Sequence, residues 1–352
     1  MSYDDGWMAI NLEMPGRVPR TEYSVDNHWE VVRAVTGLDV DAHISLADRD
    51  AAGTAFRKAW NFDFVWNVLI GSHVFGDKCT KMGHAEYATG GTDFNTKIHE
   101  LYTDPDEAIK FDPFELYGAV DTAKAVRDFN AHFQRAQRMT PDAVNMTGVY
   151  VTCMSGLIDI FGWDMLLMLA GLDPKGLGDL TNRYAAWIQQ YFDALAKSDA
   201  PVVMVHDDIV WTSGAFLHPD WYRAFIFPNY KKFFKPLLES GKKIMYTSDG
   251  TYTEFIDDIV GAGAHGFVLE PTTDMKYIAD KYGKTHVFIG NADTRILLSG
   301  TRDEIKAEVQ RCMDIGKKYP GFFTAVGNHI PSNTPLENVL WYNEVYEKLS
   351  KR

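Results

Sequence analysis

PVVMVHDD, residues Pro201–Asp208, is an apolar β-branched run that ends abruptly in an imidazole and two carboxylates. A short run of this kind predicts a buried strand. The same arrangement recurs downstream. Lys243–Thr247 leads into Ser248, Asp249 and Gly250, and Gly266–Leu269 leads into Glu270 and Pro271. His286–Gly290 leads into Asn291 and Asp293, and Phe322–Val326 into Gly327, Asn328 and His329. A further strand is predicted over Val144–Thr152. Amphipathic helical stretches lie between these runs, over Thr253–Val260 and over Thr301–Lys317, where Thr301 and Glu304 form a capping box. Asp179–Lys197 reads as a helix through Trp187, Tyr191 and Leu195. Strands alternating with helices predict a parallel α/β fold. In a closed (β/α)8 barrel all the strand ends converge on one face, so these scattered polar residues become neighbours. An open doubly wound sheet would also gather strand ends, but no GxGxxG turn and no P-loop accompanies them.

Working outward, the part before about Pro113 reads as an irregular N-terminal extension. No Pro/Gly/Ser linker and no repeat divides the 352 residues, so residues 1–352 are expected to form one domain. The net charge of −13 opposes nucleic-acid binding. Cys79, Cys153 and Cys312 are an odd, widely spaced set that fits a reducing compartment. MSYDDGWMAI lacks the features of a signal peptide, and the apolar WDMLLMLAG (Trp163–Gly171) is too short to cross a bilayer. A soluble cytoplasmic enzyme without a membrane partner is expected. The 9 Trp, 17 Tyr and 21 Phe supply core and pocket walls.

Several stretches carry a resemblance. They are GRVP (Gly16–Pro19), MGHAEY (Met82–Tyr87), HDDI (His206–Ile209), SDG (Ser248–Gly250), LEP (Leu269–Pro271), GNAD (Gly290–Asp293) with GTRDEI (Gly300–Ile305), and NHIPSNTPLENV (Asn328–Val339). In this order the chain, from about Arg17 onward, resembles the uroporphyrinogen decarboxylase superfamily, whose fold is a (β/α)8 barrel. The resemblance implies one of two activities. One is cofactor-free decarboxylation of a uroporphyrinogen-type substrate. The other is methyl transfer to or from a cobalt corrinoid carried on a partner protein. MGHAEY and NTPLENV look more like the methyltransferase branch, which includes O-demethylase and coenzyme M enzymes. The decarboxylase relies on several N-terminal arginines, whereas PGRVPR offers Arg17 and Arg20. The methyltransferases bind zinc through His-x-Cys and a later Cys. Here those positions read Tyr246, Ser248 and Asn328.

The expected function is therefore transfer of a methyl group from a methylated small molecule to the cob(I)alamin of a partner corrinoid protein. An aromatic methyl ether is the favoured donor, because hard nitrogen and oxygen donors make a metal a stronger Lewis acid than thiolates do. Self-association into a homodimer is left open. His206, Asp207, Asp208 and Asp249 are the expected catalytic residues, although an Asp at a strand end can simply cap a helix and SDG is a common turn. His329, Glu270 and Asp293 are the expected ligands of a zinc that the resemblance implies. Glu308, within a predicted helix, reads as a solvated surface residue. Arg20, Tyr23, Trp66, His84 and Tyr246 are the expected substrate contacts. Trp60, Phe62, Phe64 and Trp66 alternate as a strand would, which by itself describes core.

Overall fold

The computed structural model describes residues 1–80, 82, 86–88, 91–93 and 99–352, with the backbone alone for 86–88 and 91–93. Gly83, His84 and Ala85 of the MGHAEY stretch lie outside the described residues.

The strands predicted from sequence form: Lys243–Thr247 keeps its predicted bounds, Val144–Thr152 breaks into two strands, and the others are shortened at their ends. The strands are β1 (Phe64–Val65), β2 (Val144–Asn145), β3 (Thr147–Val149), β4 (Val202–His206), β5 (Lys243–Thr247), β6 (Gly266–Val268), β7 (Val287–Ile289) and β8 (Phe322–Phe323). One sheet runs β8-β7-β6-β5-β4-β3, and every pairing in it is parallel. β1 pairs parallel with β2. Beyond the edge strands the hydrogen bonding goes on. Thr324 N donates to Pro19 O at 2.9 Å, Asp63 N to Arg20 O at 2.8 Å, and Val144 N to Asp63 O at 3.0 Å. The N-terminal part is thus less irregular than its sequence suggests. Residues around Arg20 bridge β8, and the helix Leu46–Ala59 precedes β1. Two short antiparallel hairpins lie outside the parallel sheet, Glu86–Ala88 with Gly91–Asp93 and Val210–Trp211 with Gly214–Ala215.

Strand alternation sorts side chains to two faces. Val202, Met204, Met245, Val268, Ile289 and Phe323 pack into one buried cluster, joined by Ala9 and Ile10 of the N-terminal helix Tyr3–Ile10. Val203, Val205, Tyr246 and Phe267 face the other way, into the larger core formed with the helices. Following the first face outward along β4 leads to His206, and along β5 to Thr247 and then Asp249.

The helices follow their capping chemistry. Thr301 and Glu304 complete the capping box of Arg302–Gly316. The helix expected over Asp179–Lys197 starts earlier, at Pro174, because the Asp173 side chain accepts from Gly176 N and a proline fits the first turn. Met154–Leu172 is kinked at Gly162, which sits at φ 74°. By length and composition this helix alone, among the described residues, could cross a membrane, yet 61% of its apolar window is buried against the protein. Cys79, Cys153 and Cys312 are buried.

Candidate active site

Three of the polar strand ends meet around a cavity of about 280 Å³. His206, Asp249, Asn328 and His329 line it, with Tyr23, Trp66 and Tyr150 as aromatic wall. The Tyr23 and Trp66 rings lie 4.9 Å apart.

His206 is held from behind. Its ring stacks on Tyr150 at 3.6 Å, and Nδ1 lies 2.9 Å from the Tyr150 carbonyl oxygen. A carbonyl only accepts, so Nδ1 carries the hydrogen and Nε2 is turned toward Asp208, whose Oδ1 is 3.1 Å away. That oxygen also accepts from Asp249 N at 3.1 Å. Burial depresses the proton affinity of His206, but the charge and hydrogen bond of Asp208 outweigh it and carry the pKa to about 9. Asp249 and Glu270 both titrate well above the usual carboxylate range. Burial is the first cause, and the charge of a neighbour the second: Asp208 for Asp249, and Asp249 for Glu270. Two carboxylates so placed share a proton into the neutral range. Glu270 is steadied by Asn328, which donates through Nδ2 to Oε1 at 2.6 Å. The Oδ1 of Asn328 is 2.6 Å from His329 Nδ1. Burial lowers the His329 pKa to about 4, leaving a neutral imidazole.

The structure redistributes several expected roles. Asp207 is fully buried on the helix side. Its carboxylate accepts from Ser155 N at 2.8 Å and from Tyr230 OH at 2.6 Å, and burial raises its pKa to about 6. Tyr246, expected at the substrate, is also fully buried there and donates to the Asp207 carbonyl at 3.2 Å. Both stand one residue out of phase with the cavity face. Arg20 does not reach the cavity either. It is fully buried, ion-paired with Glu22 at 3.2 Å and stacked on Trp60 at 4.2 Å. Asp293, expected as a metal ligand, caps the helix Thr294–Ser299 and is bound by Arg295 at 2.6 Å, which holds its pKa below the usual range. Glu308 is not solvated. It is buried, pairs with Arg311 at 2.6 Å and accepts from Asp293 N at 2.9 Å.

The donor set that does converge is His206, Asp208 and Asp249, whose ligating atoms all lie within 4.8 Å of one another. One imidazole and two carboxylates beside a cavity match the three protein ligands and open position of a catalytic zinc. The Nδ1 hydrogen committed to a backbone carbonyl is the usual support of a ligating histidine. These residues therefore fit such an ion, which would displace the proton that His206 Nε2 holds toward Asp208. Sequence reasoning missed Tyr150 and Ser155. Tyr150 was legible, since it stands one residue past the Val149–Val205 pair, level with His206. Ser155 carries no signal of its own in the sequence.

A parallel α/β fold with acid, imidazole and aromatic groups gathered at its strand ends defines an enzyme of the strand-end type. The uroporphyrinogen decarboxylase (URO-D) family model matches residues 95–349, and the chain belongs to that family. Among curated relatives, the uroporphyrinogen decarboxylase of Geobacter sulfurreducens is 23% identical over 190 residues, 54% of each chain. That of Thermus thermophilus is 29% identical over 161 residues, 46% of this chain and 45% of the relative. The chain thus spans about half the length of the curated relatives it matches. Over 99% of both chains the fold matches a methyltransferase from Methanosarcina mazei, with a TM-score of 0.67 at 17% identity.

Proposed function

We propose that the protein is a one-domain (β/α)8 barrel that moves a methyl group from a small methylated donor, an aromatic methyl ether by preference, to a corrinoid on a partner protein. The barrel reading is supported by the hydrogen bonds from residues 19–20 to Thr324 and Asp63, which tie β8 back toward β1. The fold match to a chain described as a methyltransferase supports the branch. The observation that carries the chemistry is the convergence of His206, Asp208 and Asp249 beside an aromatic-walled cavity.

An aryl ether resists methyl transfer because its oxygen leaves as an anion unless something neutralises it. The corrinoid would supply the nucleophile, a Co(I) centre that accepts CH3+ and becomes Co(III). A zinc ion on His206, Asp208 and Asp249 would supply Lewis acidity toward the leaving oxygen. The remaining work falls to the chain. Tyr23, Trp66 and Tyr150 hold an aromatic ring in the cavity. With Asp249 given to the ion, the proton held by Glu270, whose pKa burial raises to about 8, is available to the departing oxygen, so that ether, Co(I) and one proton give phenol and methyl-Co(III). His329, kept neutral, adds no positive charge that would repel a metal. The exposed Trp211 of the Val210–Ala215 hairpin, whose carbonyl accepts from Thr251 N at 3.0 Å two residues beyond Asp249, is the surface we assign to the partner.

The family and its curated relatives favour a second reading, decarboxylation of a polyanionic tetrapyrrole. The cavity argues against it. Arg20 is spent on Glu22 and Arg17 on Asp63 at 2.6 Å, while Arg57, which lines the cavity, is paired with Asp26 at 2.5 Å. The test is to supply methyl-labelled methoxyarenes and methylamines with a reduced corrinoid protein, and uroporphyrinogen in a parallel arm. Label on cobalt supports methyl transfer. Carbon dioxide release without labelled cobalt overturns it in favour of the decarboxylase.

A further inference from the structure

We propose that Ser155 is the positioning residue of this site, fixing His206 and Asp208 relative to each other; the proposal rests on the methyl-transfer reading only for its catalytic consequence. Ser155 is 4% exposed and sits in the first turn of Met154–Leu172. It touches each member of the HisAspAsp run. Its backbone N donates to Asp207 Oδ1 at 2.8 Å, its Oγ accepts from Asp208 N at 2.7 Å, and Oγ lies 3.3 Å from His206 Nδ1.

The need for these contacts follows from where β4 ends. The ladder to β5 stops at His206 pairing with Thr247, and the last backbone bond, Asp207 N to Thr247 O, is 3.0 Å. From Asp208 on, the buried backbone must find other acceptors. Ser155 Oγ supplies the one for Asp208. It thereby sets the place from which the Asp208 carboxylate reaches both His206 Nε2 and Asp249 N. The same oxygen and the Tyr150 carbonyl together face Nδ1, so rotation of the His206 ring is opposed from two sides. One hydroxyl thus couples the only imidazole of the donor set to its first carboxylate. Supports of this kind typically change metal affinity 10–100-fold when removed.

Ser155→Ala isolates the hydroxyl, because the backbone N–H to Asp207 remains. Ser155→Thr restores it. The measurements are a calorimetric titration of metal-free protein with zinc chloride, a melting curve, and a crystal structure of the alanine variant. The alanine variant is expected to bind zinc roughly 10–100-fold more weakly, to melt as a folded protein, and to show Asp208 displaced from His206. The threonine variant is expected to recover most of the affinity. Wild-type zinc affinity with Asp208 in place in the alanine variant overturns the proposal. If the wild-type protein takes no zinc, the metal version of the methyl-transfer reading fails. The crystal structure then decides the positioning role alone: a displaced Asp208 upholds it and an unmoved one overturns it.

Discussion

Asn328 bonds Glu270 across 58 residues of sequence, its amide nitrogen donating to the carboxylate at 2.6 Å. Through its other atom, Oδ1, the same amide contacts His329 at 2.6 Å. It holds a carboxylate and an imidazole in place. Asn328→Ala should therefore lower the rate of methyl transfer by about 10–100-fold, the usual cost of losing a support behind reactive groups, with the melting temperature little changed. An unchanged rate would remove Glu270 and His329 from the working site.

Arg20 has a structural duty. Its loss strands the buried Glu22, whose burial already raises its proton affinity. Arg20→Met should destabilise the fold by about 3–5 kcal/mol, as removal of one member of a buried ion pair does. Arg20→Met combined with Glu22→Gln should recover much of that. Equilibrium denaturation checks both. A stable Arg20→Met enzyme whose KM for the donor rises would return Arg20 to the substrate.

His265 gives the fold an acid limit. Burial is the main cause of its low pKa, about 4, with the positive charges of Lys243 and His286 adding to it. The unfolded chain binds a proton near pH 6.5, while the folded one resists until about 4. The stability that neutral His265 contributes is complete above pH 6.5 and is lost as pH falls through that window. His265→Gln should flatten the acid limb of a stability–pH curve by roughly 2–3 kcal/mol between pH 6.5 and 4. An unaltered limb would contradict the assignment.

Metal content separates the two donor sets. Asp293→Asn should keep its zinc and change stability by less than about 1 kcal/mol, because its carboxylate serves the exposed Arg295 and asparagine caps a helix as well as aspartate does. Asp249→Asn should lose most of its zinc. The reverse pattern in elemental analysis would restore Asp293 to the metal.

Much of this was legible in the strands. β4 and β5 end where apolar runs meet polar residues, β6 to β8 end one to three residues sooner, and Lys243–Thr247 has the bounds read from its sequence. Period-two alternation carried one step past each strand would have placed His206 and Asp249 at the cavity and turned Tyr246 away from it. What the sequence hid were partnerships. Asp293 and Arg295 are two residues apart, yet only the helix start at Thr294 turns the guanidinium onto the carboxylate. Glu22 sits two residues from Arg20, but the stack of Trp60, Tyr342 and Tyr346 that buries this arginine is assembled from distant segments. Tyr23 and Trp66 reach the cavity wall as expected, and His84 lies outside the described residues.

The most direct test is the cobalt absorption spectrum of a reduced corrinoid protein mixed with a methoxyarene and either wild type or His206→Ala. Wild type should convert Co(I) to methyl-Co(III) in a single turnover, and His206→Ala should do so at least about 100-fold more slowly. Conversion by both at the same rate would take His206 and its carboxylates out of the mechanism. No conversion by wild type with any methoxyarene or methylamine would contradict methyl transfer itself.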